Sequence, residues 1–275
     1  MSMRVLSVFG TRPEAIKMAP VVRALEARAD FNARVCVTGQ HRQMLDQVLE
    51  IFSIKPHHDL SLMQAGQDLN GLTARILGGV KDVLRQDRPD LVIVQGDTTT
   101  CMATALAAFY ERIPIAHVEA GLRSGRLDAP FPEEANRCIV SRIADLHFAP
   151  TTQARDNLVR EGIQPSQIAV TGNTVIDALL MTRDRVQKNP TRHWIRQFGP
   201  ALCDALEGHK DKIILVTGHR RENFGQGMED LCAAIRDLAV THRNWLFIYP
   251  VHLNARVQEP VQAILRGFPN VHLIE

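Results

Sequence analysis

Residues 3–20, MRVLSVFGTRPEAIKMAP, predict a buried strand that leads directly into a charged turn and a helix. The first six residues are mostly apolar, and they are followed within a few positions by the polar side chains of Thr11, Arg12, Glu14 and Lys17. Ligands of open α/β sheets bind at the carboxyl ends of strands. The stretch therefore marks a candidate site at the end of a core strand.

The same alternation of short apolar runs and longer amphipathic runs continues along the chain. The apolar runs at 33–39 and 91–96, for example, are each followed by a stretch with helical spacing. Short apolar runs bounded by turns are typical of strands buried on both faces, and hence of a parallel sheet covered by helices. The sequence predicts a doubly wound α/β fold.

The alternation is interrupted once, which predicts two domains. We expect a Rossmann-like domain at 1–172, an interdomain helical segment at 173–211 and a second Rossmann-like domain at 212–275. The second domain offers only three predicted strands, and a complete open sheet needs further βα units of roughly 30 residues each. We therefore expect this second domain to be incomplete in the chain.

Composition excludes several classes of protein. A net charge of +2, with 45% hydrophobic and 23% charged residues, is ordinary for a globular protein and predicts no nucleic-acid or membrane partner. The cysteines lack CxxC spacing and the histidines lack metal-ligand spacing, so neither a disulfide framework nor a metal is expected. These features predict a cytoplasmic protein without a metal. The five cysteines are Cys36, Cys101, Cys138, Cys203 and Cys232.

The turn after the first predicted strand has two interpretations. Thr11 and Glu14 have the spacing of a capping box, with Pro13 at an early helix position, which is a purely structural role. Capping does not explain Arg12 and Lys17, because cations near a helix N-terminus oppose the helix dipole unless an anion joins them. We expect an anionic ligand here.

Carboxylates follow the next predicted strands. Asp97 ends one apolar run and is either a site residue or the cap of the next helix, a role that Thr98 to Thr100 could also fill. Glu119 ends the run 113–119, and Glu133, Glu134 and Arg137 open a later helix. One of the two glutamates suits the helix dipole and has a structural interpretation.

Crowded carboxylates require neighbouring cations or a raised pKa, and functional sites commonly show this. The candidate cations are Arg12, Lys17, Arg123 and Arg137. In the second domain, His219 and Arg220 follow a predicted strand, and His252 is placed in a similar way but is a weaker candidate. A helix cap is the favoured interpretation of Asn173, Thr174 and Asp177.

Six motifs together resemble the non-hydrolysing UDP-N-acetylglucosamine 2-epimerases, collinearly from about residue 3 to the end of the chain. They are FGTRPEAIKMAP, GDTTT, HVEAGLRSG, PEEANR, TGNTVIDAL and TGHRREN. The resemblance implies a glycosyltransferase-B-like fold with the nucleotide sugar between two Rossmann-like domains. It also implies reversible conversion of UDP-GlcNAc to UDP-ManNAc for bacterial surface polysaccharides, by a homodimer that uses no cofactor.

Matching the family's motifs assigns roles by position. The resemblance implies that Asp97, Glu119, Glu133 and His219, which we expect to be catalytic, lie in the active-site cleft with Arg12 and Lys17. We expect Arg12 and Lys17 to bind substrate, together with Arg137 and Arg220, which are candidates by their charge and position. The resemblance also implies an activator site near Gln40, Gln43 and His252. Gln95 departs from the histidine that is frequent in the family. Two alternatives remain: another nucleotide-sugar enzyme of the same fold (a glycosyltransferase or a hydrolysing epimerase), or an inactive truncated fragment.

Overall fold

The computed structural model describes residues 2–39, 42–62, 66, 68–188, 198–208, 212–218, 224–252 and 254–274, without the side chains of 42–44 and 201. The chain divides into two compact units, Met1–Val186 and Gln187–Glu275. The sequence placed an interdomain segment at 173–211, and that assignment stays a prediction. Most of its first helix, Thr174–Gln187, belongs to the first unit.

The first unit is built on a seven-stranded parallel sheet with the order β3-β2-β1-β4-β5-β6-β7. The strands are β1 (Met3–Phe9), β2 (Phe31–Val37), β3 (His58–Asp59), β4 (Leu91–Gln95), β5 (Ile115–Val118), β6 (Leu146–Ala149) and β7 (Ile168–Val170). The predicted parallel α/β class is confirmed. The carboxyl ends of all seven strands therefore lie at one edge of the sheet.

Helices connect the strands and cover both faces of the sheet. They are α1 (Arg12–Glu26), α2 (Arg42–Ile51), α3 (Leu69–Asp87), α4 (Thr99–Tyr110), α5 (Glu133–Ile143), α6 (Thr152–Arg160) and α7 (Thr174–Gln187), with a short 3-10 helix at Pro165–Gln167. One core cluster packs β1, β4 and β5 against α3, α4 and α5. The other packs the opposite face against α1, α2 and Ala178 of α7.

The chain reverses its direction across the sheet at β1. Strands β2 and β3 lie on one side of β1, and β4 to β7 lie on the other. The connections on the two sides therefore leave a crevice between the β1 and β4 ends, which is where such sheets bind ligands. Arg12 and Lys17 follow β1, and Asp97 follows β4. The fold thus brings the first two candidate clusters to this crevice.

The second unit contains a three-stranded parallel sheet, in the order β10-β9-β8. Its strands are β8 (Ile213–Leu215), β9 (Leu246–Pro250) and β10 (Val271–Ile274), and its helices are α8 (Pro200–Gly208), α9 (Gln226–Thr241) and α10 (Ala255–Leu265). Buried Asn270 donates from Nδ2 to the carbonyls of Ala239, His242 and Trp245. These bonds fasten the end of α9 to the start of β10.

The described residues contain neither a membrane-crossing helix nor a metal-ligand cluster. None of the helices in those ranges combines the length and the apolar character that crossing a bilayer demands. Over the same ranges, no three His, Cys, Asp or Glu side chains gather closely enough to hold a metal ion.

Gly10 is needed where β1 meets α1, because the turn packs closely against β2 and α4. A Cβ at this position would overlap Thr38 Oγ1 and lie 2.6 Å from Thr100 Oγ1, and both threonines are buried. We expect Gly10→Ala to lower the free energy of unfolding by about 1–3 kcal/mol, as overpacking does. Urea unfolding followed by circular dichroism measures the change.

Gly78→Ala is the matched control for this substitution. Gly78 lies inside α3 and is exposed, and a Cβ there meets no atom within 4 Å. Alanine is favoured over glycine in a helix by about 0.5–1 kcal/mol. Equal unfolding free energies for the two variants would contradict the close packing around Gly10.

Candidate functional site

The turn between β1 and α1 is a capping box, which confirms one sequence interpretation. Thr11 has extended backbone angles and is the N-cap, and its Oγ1 accepts from the Glu14 N–H at 3.5 Å. In return, Glu14 Oε2 accepts from the Thr11 N–H at 2.8 Å. Arg12 and Lys17 take no part in this cap, so their positive charges at the site need another explanation.

Glu14 also joins this turn to the one after β4. Its Oε2 accepts from the Gly10 N–H at 3.1 Å, and its Oε1 accepts from the Thr98 hydroxyl at 2.7 Å. The side chain is fully buried, and burial raises the pKa of Glu14 although these hydrogen bonds act to lower it. One buried carboxylate thus holds together the turns that carry Arg12 and Asp97.

The turn after β4 leaves Asp97 out of the helix cap. Thr98 is the N-cap of α4, and its Oγ1 accepts from the Cys101 N–H at 3.0 Å. The Asp97 backbone is held by α5, because Asn136 Nδ2 donates to its carbonyl at 2.9 Å. Its carboxylate is 3.4 Å from Arg137 Nη1. Of the two roles that the sequence left open for Asp97, the structure removes the cap.

The electrostatic surroundings of Asp97 favour its neutral form. Burial raises the pKa of this carboxyl above its ordinary value, and the neighbouring charges of Glu119 and Glu133 add to the rise. Arg137 and Lys17 oppose it without cancelling it. A carboxyl in a crevice with a perturbed pKa is a candidate for proton transfer.

Glu119 is held by donors from three different parts of the first unit. Lys17 Nζ, on α1, lies 2.7 Å from Oε1 and 2.5 Å from Oε2. Gln95 Nε2, at the end of β4, donates to Oε2, and Asn173 Nδ2, just before α7, donates to Oε1 at 3.3 Å. Only 11% of the Glu119 side chain is exposed. This carboxylate is therefore oriented before any ligand binds.

The two glutamates at the start of α5 have different surroundings. Glu134 is buried and accepts from the N–H groups of Ser124 and Gly125 at 3.0 and 3.1 Å, and from Arg137 Nε at 2.6 Å. Burial acts to raise the pKa of Glu134, but these donors outweigh it and the pKa is lowered. Glu133 is partly exposed. Glu134 is therefore the structural member of the pair.

The structure gathers most of the predicted site residues of the first unit. The turns after β1, β4 and β5 and the start of α5 carry Arg12, Lys17, Asp97, Glu119, Glu133 and Arg137. Arg123, the fourth candidate cation, instead pairs with Glu161 at 2.6 Å and donates to Ser141 Oγ at 2.9 Å. Arg123 therefore anchors the loop after β5 to neighbouring helices.

The remaining predicted residues have less structural detail. His219, Arg220 and Gln40 lie outside the described residues, as does the side chain of Gln43. His252 belongs to the second unit, where its Nδ1 accepts from the Asn254 N–H at 3.1 Å. The roles suggested for these five residues stay predictions.

Sequence reasoning missed four contacts that shape the site. Gln95 and Asn173 orient Glu119, Asn136 holds the Asp97 backbone, and Glu14 reaches Thr98. Gln95 ends β4 and Asn173 follows β7, so the strand-end rule that selected Asp97 also applies to them. The contacts of Glu14 with Thr98 and of Asn136 with Asp97 join residues that are far apart in sequence, and so no local pattern predicts them. Glu14 and Thr98, for example, are 84 residues apart.

Glu134→Gln is expected to destabilise the first unit. An amide cannot accept from all of the Ser124, Gly125 and Arg137 donors, and leaving buried groups unsatisfied costs about 1–3 kcal/mol. For a domain of this size the Tm should fall by about 2–4 °C per kcal/mol. Thermal unfolding measures the change, and a Tm equal to that of the unmodified chain would contradict the structural role of Glu134.

Asp97→Asn is expected to have the opposite effect on stability. Because the folded-state pKa of Asp97 is raised, its stability contribution is present below the unfolded pKa of about 3.9 and is lost as pH rises through the folded value. Asparagine has no charge to desolvate, so this variant should unfold at an equal or higher temperature at pH 8. Its advantage should shrink as the pH falls toward 4. A variant that is less stable at pH 8 would contradict this.

Comparison with known proteins identifies the family of the chain. A sequence model of the family described as UDP-N-acetylglucosamine 2-epimerase matches residues 23–275. A UDP-N-acetylglucosamine 2-epimerase of Escherichia coli O157:H7 is 56% identical over 273 residues, which are 99% of this chain and 72% of that protein.

Solved structures agree with the sequence relatives. The UDP-GlcNAc 2-epimerase from Neisseria meningitidis, bound to UDP-GlcNAc, matches with a TM-score of 0.90 and 46% identity, over 99% of this chain and 72% of that one. The enzyme from Methanocaldococcus jannaschii, in complex with UDP-GlcNAc and UDP, matches at 0.77 and 31%, over 99% and 73%. The chain belongs to the UDP-N-acetylglucosamine 2-epimerase family.

Proposed function

We propose that this protein reversibly converts UDP-GlcNAc into UDP-ManNAc by inverting C2 of the sugar. The observation that carries the proposal is the placement of two carboxyl groups, Asp97 and Glu119, beside cationic groups at the crevice of the first sheet. Membership of the epimerase family supports the same reaction.

The chemistry explains why the site needs both carboxyl groups and cationic groups. The C2 proton is not next to a carbonyl, so direct abstraction is difficult. When the C1–O bond breaks, its electron pair leaves with UDP and C1 becomes electron-poor, which acidifies the neighbouring C2–H. In the α-anomer of UDP-GlcNAc the C1–O bond to UDP and the C2–H bond are both axial and point to opposite faces of the ring. Anti elimination therefore gives 2-acetamidoglucal and UDP.

Return of UDP completes the inversion. A proton is added to C2 on the opposite face of the glucal, and the UDP oxygen forms a new bond to C1. Two proton-transferring groups on opposite faces are therefore required. We propose Asp97 and Glu119 for these two roles, with Glu133 as the third candidate. General acid–base catalysis of this kind is typically worth about 10²–10⁴ in rate.

The leaving diphosphate needs positive charge and N–H donors. Arg12 is partly exposed as the first residue of α1, beside the positive end of that helix, and this placement supports a role in binding the diphosphate. Arg137 lies between Asp97 and Glu134 and is the second candidate. Lys17 is paired with Glu119, so we propose that it acts on this carboxylate in the unliganded protein.

Several further roles are proposals that rest on the family resemblance. His219 and Arg220 are proposed to complete the diphosphate site, and Gln40, Gln43 and His252 an activator site. We also propose a homodimer, which sedimentation equilibrium would test, and a cytoplasmic location.

Deuterium incorporation tests the proposed reaction. In D₂O the protein should exchange the C2 hydrogen of UDP-GlcNAc for deuterium, because the proton returned to C2 comes from a group that has equilibrated with solvent. Proton NMR of the sugar and mass spectrometry of both epimers measure it. Epimerisation with full retention of C2 protium would contradict the elimination.

Product analysis separates the alternative enzymes. A glycosyltransferase would turn over only with an acceptor, and a hydrolysing epimerase would release free ManNAc and UDP irreversibly. Either result would replace the proposal. The inactive-fragment alternative is tested by measuring UDP affinity in this chain and in a longer one. If this chain shows no turnover although both bind UDP equally well, truncation does not explain the inactivity, and the result counts against the proposed reaction.

Replacing each carboxyl group with an uncharged amide tests its role in the reaction. Asp97→Asn and Glu119→Gln are each expected to lower kcat by at least ~10², because each removes a proton-transferring group while keeping its shape. Asp156→Asn is the matched control, since Asp156 is exposed on α6 and pairs only with its neighbour Arg155 among the contacts described. Unchanged rates in both site variants would remove these residues from the mechanism.

A further inference from the structure

His117 is a buried histidine in β5 that the proposed reaction does not use directly. Its side chain has no solvent exposure, and its Nε2 lies 2.7 Å from the carbonyl oxygen of Gly96. A carbonyl can only accept, so Nε2 must carry the proton and donate it. Gly96 is the residue immediately before Asp97.

Both the N–H and the carbonyl of Gly96 are hydrogen-bonded to β5, the strand that contains His117. Its N–H donates to the Val118 carbonyl at 3.0 Å, and its carbonyl also accepts from Cys101 Sγ at 3.3 Å. With a φ of +72°, it has the left-handed backbone that favours glycine. A Cβ at Gly96 would lie 3.7 Å from Glu119 Oε2. The peptide before Asp97 therefore runs close to the Glu119 carboxylate.

Packing alone gives no reason for a histidine at this position. Burial lowers the pKa of His117 to about 4, so the ring is neutral at physiological pH and supplies no charge to the site. Burying a polar ring is costly unless its hydrogen bonds are made, whereas an aliphatic side chain would fill the space without that cost. The hydrogen bond to Gly96 is the specific contribution that an aliphatic residue could not make.

We propose that His117 is a positioning residue that sets the separation of Asp97 from Glu119. It lies in β5, two residues before Glu119, which directly follows the strand, and it holds the carbonyl of the residue before Asp97. One rigid strand thus places one carboxyl group directly and the other through a hydrogen bond. This inference rests on the proposed roles of Asp97 and Glu119.

Other contacts to this turn hold different atoms or are weaker. Glu14 holds the Thr98 hydroxyl, Asn136 holds the Asp97 carbonyl, and the Gly96 N–H donates to Val118. The Cys101 thiol reaches the Gly96 carbonyl itself, but a thiol is a weak donor. Without the His117 donor, this weak contact is the one that the described residues leave on the carbonyl before Asp97. A misplacement of about 1 Å in a catalytic group can cost about 10²-fold in rate, so a large effect on kcat is expected from a contact that touches no substrate.

Two substitutions of similar size separate positioning from space filling. In His117→Gln the amide Nε2 can take the place of the ring Nε2 as donor to Gly96, whereas His117→Met fills the space without a donor. We expect the Gln variant to keep kcat within about threefold and the Met variant to lose about tenfold or more. The KM for UDP-GlcNAc should change by less than about threefold in both.

The two variants are compared as folded proteins, at a temperature well below the Tm of each. Equal kcat values for the Gln and Met variants would overturn the proposal, as would a loss that appears only in KM. An unmodified protein that lacks epimerase activity would instead overturn the proposed function, which keeps the two failures distinct.

Nitrogen-15 NMR of the unmodified protein tests the contact without any substitution, should both variants fail to fold. The chemical shifts of the His117 ring should show the neutral Nε2–H form from pH 8 down to about pH 5, because the pKa is about 4. A proton on Nδ1 alone would overturn the proposal, because Nε2 could then not donate to Gly96.

Discussion

Parallel pairing of β1 with β4 is the constraint on which the site depends. The paired residues are 86 positions apart in sequence, yet Val5, Leu6 and Ser7 pair with Leu91, Val92 and Ile93. Because the strands are parallel and in register, their carboxyl ends emerge at the same edge. The turns that carry Arg12 and Asp97 become neighbours for this reason, and the β4–β5 pairing adds Glu119.

Buried polar groups then convert this neighbourhood into a rigid site. Glu14 bonds to both turns, and Glu119 receives Lys17, Gln95 and Asn173 from three separate elements. A buried carboxylate is costly unless donors surround it, so each such group is stable only while all of its partners stay in place. The fold therefore orients the site, and burial raises the pKa of Asp97 within it.

Sequence reasoning was most successful where the signal is local. The Thr11–Glu14 capping box, the strand ending before Asp97 and the carboxylates that open α5 were all predicted from nearby residues. It could not choose between equivalent candidates. Arg123 and Arg137 were equivalent candidate cations in sequence. In the structure Arg123 pairs with Glu161, whereas Arg137 pairs with Asp97 and Glu134. The roles of Glu133 and Glu134 could likewise be distinguished only by the backbone N–H groups that donate to Glu134.

Local sequence patterns specify the α/β class, the parallel strands and the positions at which polar residues end the strands, because periodicity and turn chemistry act over a few residues. The motifs that carry the family resemblance are local in the same way. Which charges meet depends on the packed fold, since Lys17 and Glu119, for example, are 102 residues apart and are brought together by strand order. Burial, which raises the pKa of Asp97 and keeps His117 neutral, likewise exists only once the sheet and its helices have packed together.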